Sequence, residues 1–470
     1  MAYTDFIVAI DLGSSHMVGM VGTKNSSGVL SIIAYEVEKV DTCIRRGCVY
    51  NIKDTAYKIV GLVRKLENKL GGARIAKIYI GVGGQSLRSI DHSVSKLLGN
   101  GEVTEKTLQE IDQECRQYTP ELLNVLDIAS PMYYLDNQLE TNPIGLSCSR
   151  IEARYKLIVG RPALRDSVTK NMVEHIKTEV AGVIVSPLAL ADLILTDSEK
   201  ETGSALIDFG AGVTSVTMYK GGKLLGLYVI PLGSHLITKD LMTLDNLSEK
   251  EAERIKRTEG NAIWEKEKEP RPIPVDLADG KHASVKSSDV NNVVEARTRE
   301  IIENIYARLE EVGVANDVAY KLVIAGNGST LKNLREALVD RFKMEVRYAS
   351  VRKDFVKEGE MIANNPEYTT ATALLLKGTE NCAVIPEPVV TIKEPKPIIP
   401  EPSVVNQEPV LEDIEVKITE PEVKNPIRGG EKLKGENKEN KKKKGISDFF
   451  GGLFDKASGT LDQMLDEQDD

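Results

Sequence analysis

The sequence predicts a mixed α/β fold built in two similar halves, and two observations carry that prediction. The stretch Ala9-Ile10-Asp11-Leu12-Gly13-Ser14-Ser15-His16 has a near copy in Leu206-Ile207-Asp208-Phe209-Gly210-Ala211-Gly212-Val213. In each, a β-rich run ends on Asp, small residues follow, and strand-like residues resume (Met17 to Val21; Thr214 to Tyr219). That is the pattern of a β-hairpin with a tight, open turn. Around the hairpins, strands alternate with amphipathic helices. The clearest are 54–70, where Ala56, Ile59, Val63, Leu66 and Leu70 recur at helical spacing, and 293–312, where Val294, Ile301, Ile302, Ile305 and Leu309 do.

The repeated turn suits phosphate binding. Small residues let backbone N–H groups approach an anion and form a nest. An Asp at the edge of such a nest would repel phosphate unless a cation sits between them. Mg²⁺ fits, because it keeps several waters and takes only one or two carboxylates. One hairpin per half could close on one nucleotide from opposite sides. Taken singly, each is equally a hairpin with a glycine turn; the repetition favours the functional reading.

Composition narrows the class. At 470 residues the chain is long for one core and suggests two to four domains. A formal net charge of −10 argues against a general nucleic-acid binder. Cys43, Cys48, Cys115, Cys148 and Cys382 are scattered and read as reduced thiols. His16, His92, His175, His235 and His282 show no metal-ligand spacing. No apolar run approaches the roughly 18 residues that span a bilayer.

Along the chain, residues 75–82 read as a buried strand, with Gly81-Val82-Gly83-Gly84 at its end. A dinucleotide fingerprint needs a fuller glycine pattern and an acidic residue further on, so that reading falls. Residues 85–162 carry short strands (87–94, 128–135, 151–159) around a helix at 105–118, a small α+β insertion. Helices are expected over 161–180, 187–195, 237–244 and 248–260. A polar, proline-bearing stretch at 264–287 reads as a long loop or irregular hairpin. Leu322 to Ala325 runs as a strand into Gly326-Asn327-Gly328-Ser329, with a helix expected over 331–342. A helix N-terminus behind a glycine turn is a third place to receive a nucleotide. A small-residue helix at 368–376 closes the globular part.

The remainder changes texture. Nine of the 19 prolines lie in 384–440, too polar a segment to bury a core, so it is expected to be a disordered tether. Lys441-Lys442-Lys443-Lys444 follows. Ile446, Phe449, Phe450, Leu453, Phe454, Leu461, Met464 and Leu465 then fall at helical spacing. A basic cluster beside an apolar face suggests membrane-surface binding. Against it, four glycines weaken a helix, and residues 445–470 hold seven acidic residues against one lysine, which anionic lipid repels. A helix docking into a protein groove stays open as the other reading.

Asp11-Leu-Gly-Ser-Ser, Asp208-Phe-Gly-Ala-Gly and Ala325-Gly-Asn-Gly-Ser, in that order, resemble the two phosphate motifs and the adenosine motif of the ATPase superfamily of actin, sugar kinases and DnaK-type chaperones. Ala252-Glu253-Arg254-Ile255-Lys256-Arg257 is similar to the helix that holds adenosine in its chaperone and bacterial-actin branches. Four features match the FtsA family of bacterial cell-division proteins. They are the insertion after Gly84, Pro231-Leu232-Gly233-Ser234-His235-Leu236-Ile237-Thr238, the helix from Val294 to Ile301, and the tether with a terminal amphipathic stretch.

The resemblance implies an actin-like, two-lobed ATPase fold with ATP in the cleft. Asp11 and Asp208 would face Mg²⁺ and its waters. Gly13, Ser14, Ser15, His16, Gly210, Ala211, Gly212 and Val213 would cradle phosphates, Glu253 and Lys256 the ribose, and Gly326, Asn327, Gly328 and Ser329 the adenosine side. The first lobe would be 1–84 and 163–203 with 366–380 returning to it, and the second 204–236 and 312–365. The subdomain 237–311 would bind the FtsZ C-terminal peptide, with Arg297 pairing an acidic group there or simply bridging to Glu300. Self-association into filaments, attachment through 441–470, and a place on the cytoplasmic face of the inner membrane at the division septum complete the expectation. Two departures matter. Asn327 stands where the family usually has glycine. Ser186-Pro187-Leu188 offers no carboxylate or glutamine where relatives position the attacking water, so hydrolysis is expected to be slow or absent. A small-molecule kinase or a chaperone-type ATPase of the same superfamily is the alternative.

Overall fold

A computed structural model describes residues 5–40, 42–170, 174–264 and 270–384. The expected tether and the basic and apolar stretch of 441–470 lie outside the described residues. The body holds two main sheets that repeat one plan. In the first, Leu30–Lys39, His16–Lys24 and Ile7–Leu12 run antiparallel, and Lys77–Val82 and Glu179–Val185 then add in parallel. In the second, Lys223–Ile230, Thr214–Lys220 and Ser204–Phe209 run antiparallel, followed in parallel by Lys321–Ala325 and Glu345–Tyr348. The sequence repeat is therefore a structural one. This is the actin-like two-lobed α/β fold.

The parallel strands are nearly continuous in Val, Ile and Ala because both faces are covered. Ile52–Lys69 packs on one face of the first sheet, with Leu62 and Leu66 directly over Gly19. Ser186–Ile194 and Thr369–Lys377 pack together on the other face. There Ala371 and Ala373 are fully buried, which lets the closing helix sit tightly. The Lys24 Nζ donates to the Leu376 carbonyl at 2.7 Å, capping that helix's C-terminus from the opposite end of the chain.

The insertion lies between Gly84 and Gly160. Its long strands Arg88–Glu102 and Ser147–Gly160 pair antiparallel, and Glu105–Gln117 starts at a Thr104–Thr107 capping box. Although inserted into the first lobe, its sheet joins the second lobe's: Arg88 pairs with Tyr228, and the Leu227 N–H donates to the Ser89 hydroxyl at 2.9 Å. Glu199, on the short helix Asp197–Thr202, and Arg347, on the strand Glu345–Tyr348, make a two-pronged ion pair at 2.7 and 2.8 Å.

Three local expectations fail. The helix expected over 161–180 is confined, among the described residues, to Ala163–Thr169, and Glu179–Val185 is strand. Val183, Ile184 and Val185 read as strand from their β-branched run, and Glu179 and Val180 join that strand in the ladder on Lys77–Val82, which outweighs the helical spacing there. The strand expected over 128–135 is two, Asn124–Ile128 and Met132–Leu135, broken at Ser130-Pro131. The helix expected over 331–342 begins at Leu334, because Leu331 is extended and Asn333 is left-handed at φ 58°.

Candidate functional site

Each Asp reaches its place by the same local logic. Asp11 lies opposite Gly81 in the parallel ladder, and Asp208 lies opposite Ala325. A small neighbour leaves room above each carboxylate. The turns then bend sharply: a Cβ on Gly13 would come within 2.5 Å of the His16 carbonyl, and one on Gly210 within 2.8 Å of that of Val213. The two turns also touch each other. A Cβ on Gly212 would run into the Ser14 hydroxyl and would stand 3.1 Å from the Arg46 Cα.

The two carboxylates feel one another. Burial pushes Asp11 up, the charge of Asp208 adds to that, and its pKa stands at about 7. Burial raises Asp208 to about 6. Among the described residues no cationic side chain compensates either group. Two half-buried, mutually repelling carboxylates without a counter-ion fit a divalent cation. Among the described residues no cluster of three acidic, His or Cys side chains forms, so the other ligands of such a cation would be water or phosphate. A second orphan lies close by. The Ser186 hydroxyl is buried without a hydrogen-bond partner and sits over Gly81, the residue opposite Asp11. Such a hydroxyl fits an ordered water.

The third turn belongs to the same place. Gly326, at φ 78°, packs so closely that a Cβ there would strike the Asp208 carboxylate. Gly328 lies against the Phe209 carbonyl, and the buried Ser329 hydroxyl donates to the Gly326 carbonyl at 2.7 Å. Asn327 opens the 3₁₀ turn Asn327–Thr330, so this turn, and not a following α-helix, presents N–H groups here. Behind the second hairpin, the N–H groups of Ser234 and His235 donate to the Gly210 and Ala211 carbonyls at 3.0 and 2.9 Å. The helix Ser234–Met242 is thereby locked to the turn.

Other candidate residues are already engaged. Glu253 accepts from Thr238 and Lys256, both at 2.6 Å, and from Arg257 at 2.8 Å. Burial works against the Glu253 carboxylate, but these partners hold it below its usual pKa. The Lys256 ammonium also reaches the Thr238 hydroxyl at 3.0 Å. The His16 ring faces Glu367 at 3.8 Å, and burial lowers its pKa, so it brings no full charge to the cleft at neutral pH. Arg297 grips Asp240 with bonds of 2.6 and 3.1 Å and also holds Glu300. The Glu300 bridge is therefore present, and Asp240 is a partner the sequence does not disclose. Sequence reasoning also passes over Arg46 and Glu367.

The family model for cell division protein FtsA matches residues 205–373, and that for the SHS2 domain inserted in FtsA matches 84–159. The cell division protein FtsA of Porphyromonas gingivalis is 32% identical over 377 residues, covering 79% of this chain and 78% of that protein. This chain belongs to the FtsA family. The Bacillus subtilis FtsA is 26% identical over 391 residues, covering 82% of this chain and 86% of its own length. Among solved structures, the PilM–PilN type IV pilus biogenesis complex superposes with a TM-score of 0.55 at 16% identity, covering 80% of this chain and 98% of that one. That likeness supports the fold. Family membership assigns the chain to cell division. Among the described residues no helix is long and apolar enough to cross a membrane.

Proposed function

We propose that this FtsA-family chain is an ATP- and Mg²⁺-binding actin-like scaffold. It anchors FtsZ filaments to the inner face of the cytoplasmic membrane at the septum and self-associates into filaments. The observation that carries the nucleotide part is the Asp11–Asp208 pair, two uncompensated carboxylates on twin hairpins whose glycine turns meet. Bound Mg²⁺ would supply positive charge between those carboxylates and the phosphates. The chain supplies the rest. Backbone N–H groups of Gly13 to His16 and Gly210 to Val213 cradle phosphate, the 326–329 turn meets the adenosine side, and Glu253 and Lys256 face the ribose.

Hydrolysis is slow in this reading. Ser186 places a hydroxyl near Asp11, but a hydroxyl of ordinary basicity is a weak general base. The nucleotide then acts mainly as a structural ligand; at 100 times its Kd it adds about 2.7 kcal/mol of stability. The FtsZ tail is assigned to the 237–311 subdomain, where an acidic side chain of the peptide would exchange with Asp240 or Glu300 on Arg297. The membrane part rests on the sequence of 441–470.

Co-pelleting tests the scaffold. The chain is expected to sediment with FtsZ filaments and to stay in solution with filaments lacking the C-terminal peptide. Liposome flotation with and without residues 441–470 tests the anchor; equal flotation of both forms would remove it. If binding to FtsZ survives loss of its peptide, the 237–311 assignment falls.

A further inference from the structure

The tip of the small hairpin Ile44–Arg45 and Cys48–Val49 enters the site and carries an arginine that has no acidic partner among the described residues. Arg46 and Gly47 form its two-residue turn, with φ of 49° and 71°. Positive φ at both positions is the geometry of a type I′ turn, which favours Asn, Asp or Gly at the first position. Arginine there is a choice against local preference, and such choices cluster where a side chain has a task.

The backbone of this turn is fixed from both sides. The Gly47 N–H donates to the Ser14 hydroxyl at 2.8 Å, and the Gln85 N–H donates to the Arg46 carbonyl at 3.1 Å. Gly47 has no room for a Cβ, which would sit 2.8 Å from the Gly83 carbonyl. The Arg46 Cα lies at the junction where Gly212 of the second hairpin meets Ser14 of the first. Its guanidinium makes one long contact, 3.4 Å to the Gln85 side-chain oxygen, and among the described residues no carboxylate pairs with it. The neighbouring Arg45 differs: its guanidinium stacks on the Tyr50 ring, 3.9 Å from the centroid. One of two adjacent arginines thus stacks on a ring, while the other has its backbone held where the two turns converge and its guanidinium beside Gln85, within side-chain reach of that junction.

We infer that Arg46 is a nucleotide-binding residue that reads the terminal phosphate of a nucleoside triphosphate. This rests on the nucleotide reading above. The guanidinium supplies donors in a fork that matches phosphate oxygens. Because the turn bridges both hairpins, the contact also reports whether the two lobes are closed on a triphosphate or a diphosphate.

The test is calorimetric titration of ATP and ADP, each with Mg²⁺, into the full-length chain and three variants. Arg46→Asn suits the left-handed backbone and removes the charge. Arg46→Lys keeps a charge without the fork, and Arg45→Ala is the neighbour control. Arg46→Asn is expected to weaken ATP on the order of tenfold or more and ADP by less than about twofold. Arg46→Lys is expected to fall between, and Arg45→Ala to match the parent. Equal losses for ATP and ADP, or none for either, would overturn the inference, as would a loss confined to self-assembly with ATP affinity intact. If the parent chain binds ATP while Arg46→Asn binds it equally well, only Arg46 is misassigned; if the parent binds neither nucleotide, the nucleotide reading itself fails.

Discussion

The two Asp hairpins share a strand plan, a glycine turn and a small residue opposite the carboxylate, yet their surroundings differ. Asp11 stands at about 7 and Asp208 at about 6, the first raised by burial and by the second's charge. The first turn is braced by a loop, through the Ser14–Gly47 hydrogen bond. The second is braced by a helix start, through Ser234 and His235, and by the third glycine turn. The duplication therefore supplies two similar acidic bends, and the elements around them make one the more reluctant to ionise. In the cleft of this division-family fold, a cation is what would let both ionise at once.

The sharpest way to break the comparison is to remove one charge at a time. Asp11→Asn is expected to lower Mg²⁺–ATP affinity at least about 100-fold, while raising the nucleotide-free chain's stability by roughly 1–3 kcal/mol, since it relieves an uncompensated carboxylate. Asp208→Asn is expected to act in the same direction with a smaller stability gain, and thermal melts with and without nucleotide would show both effects.

A steric change comes next. Gly212→Val places atoms where Ser14 now sits and is expected to cost about tenfold in ATP affinity by holding the turns apart. Gly28→Val is no fair control because its φ of 79° is strained; Gly61→Ala, on the open face of 52–69, is, and is expected to leave binding unchanged.

The pH dependence follows with a definite sign. Both folded carboxylates bind protons above the range where the unfolded ones do, so the nucleotide-free chain loses stability from this pair as pH rises from about 4 through 7. A metal needs the deprotonated forms, so Mg²⁺–ATP affinity is expected to fall as pH drops below about 7, by around tenfold near pH 6. Glu199 behaves oppositely. Burial opposes its charge, but Arg347 and the Thr196 cap hold it at about 2, so its contribution is present above about 4.5 and is lost as pH falls toward 2. Acid titration of Arg347→Ala against the parent would show that loss.

The smallest expected effect concerns Arg297. Arg297→Ala leaves Asp240 and Glu300 without their shared cation and is expected to cost about 1–2 kcal/mol of stability. Affinity for the FtsZ peptide should fall as well in the proposed role, and an unchanged affinity would leave Arg297 a purely structural bridge.

Much of the fold was legible in the sequence because it is written locally. The hairpins show as a run ending in Asp with glycine behind it, and the helices read over 54–70 and 293–312 show as apolar spacing, within a few residues of the observed Ile52–Lys69 and, at its start less closely, Ser287–Glu311. What stayed hidden depends on distant partners. Nothing near Arg88 says that it pairs with Tyr228, and nothing near Arg297 points to Asp240. Glu179 and Val180, at the end of the run read as helix, joined the strand through its neighbour Lys77–Val82, whereas Val183-Ile184-Val185 is legible as strand from its β-branched run. Arg46 carries no motif; it is noticed only when a missing partner is visible.

The most direct measurement is electron paramagnetic resonance of Mn²⁺ with ATP, titrated into the parent chain, Asp11→Asn and Asp208→Asn. One nucleotide-dependent Mn²⁺ per parent chain, lost in each single variant, is the result expected of a metal shared by the two bends. Retention of full Mn²⁺ binding after either substitution would contradict a common site.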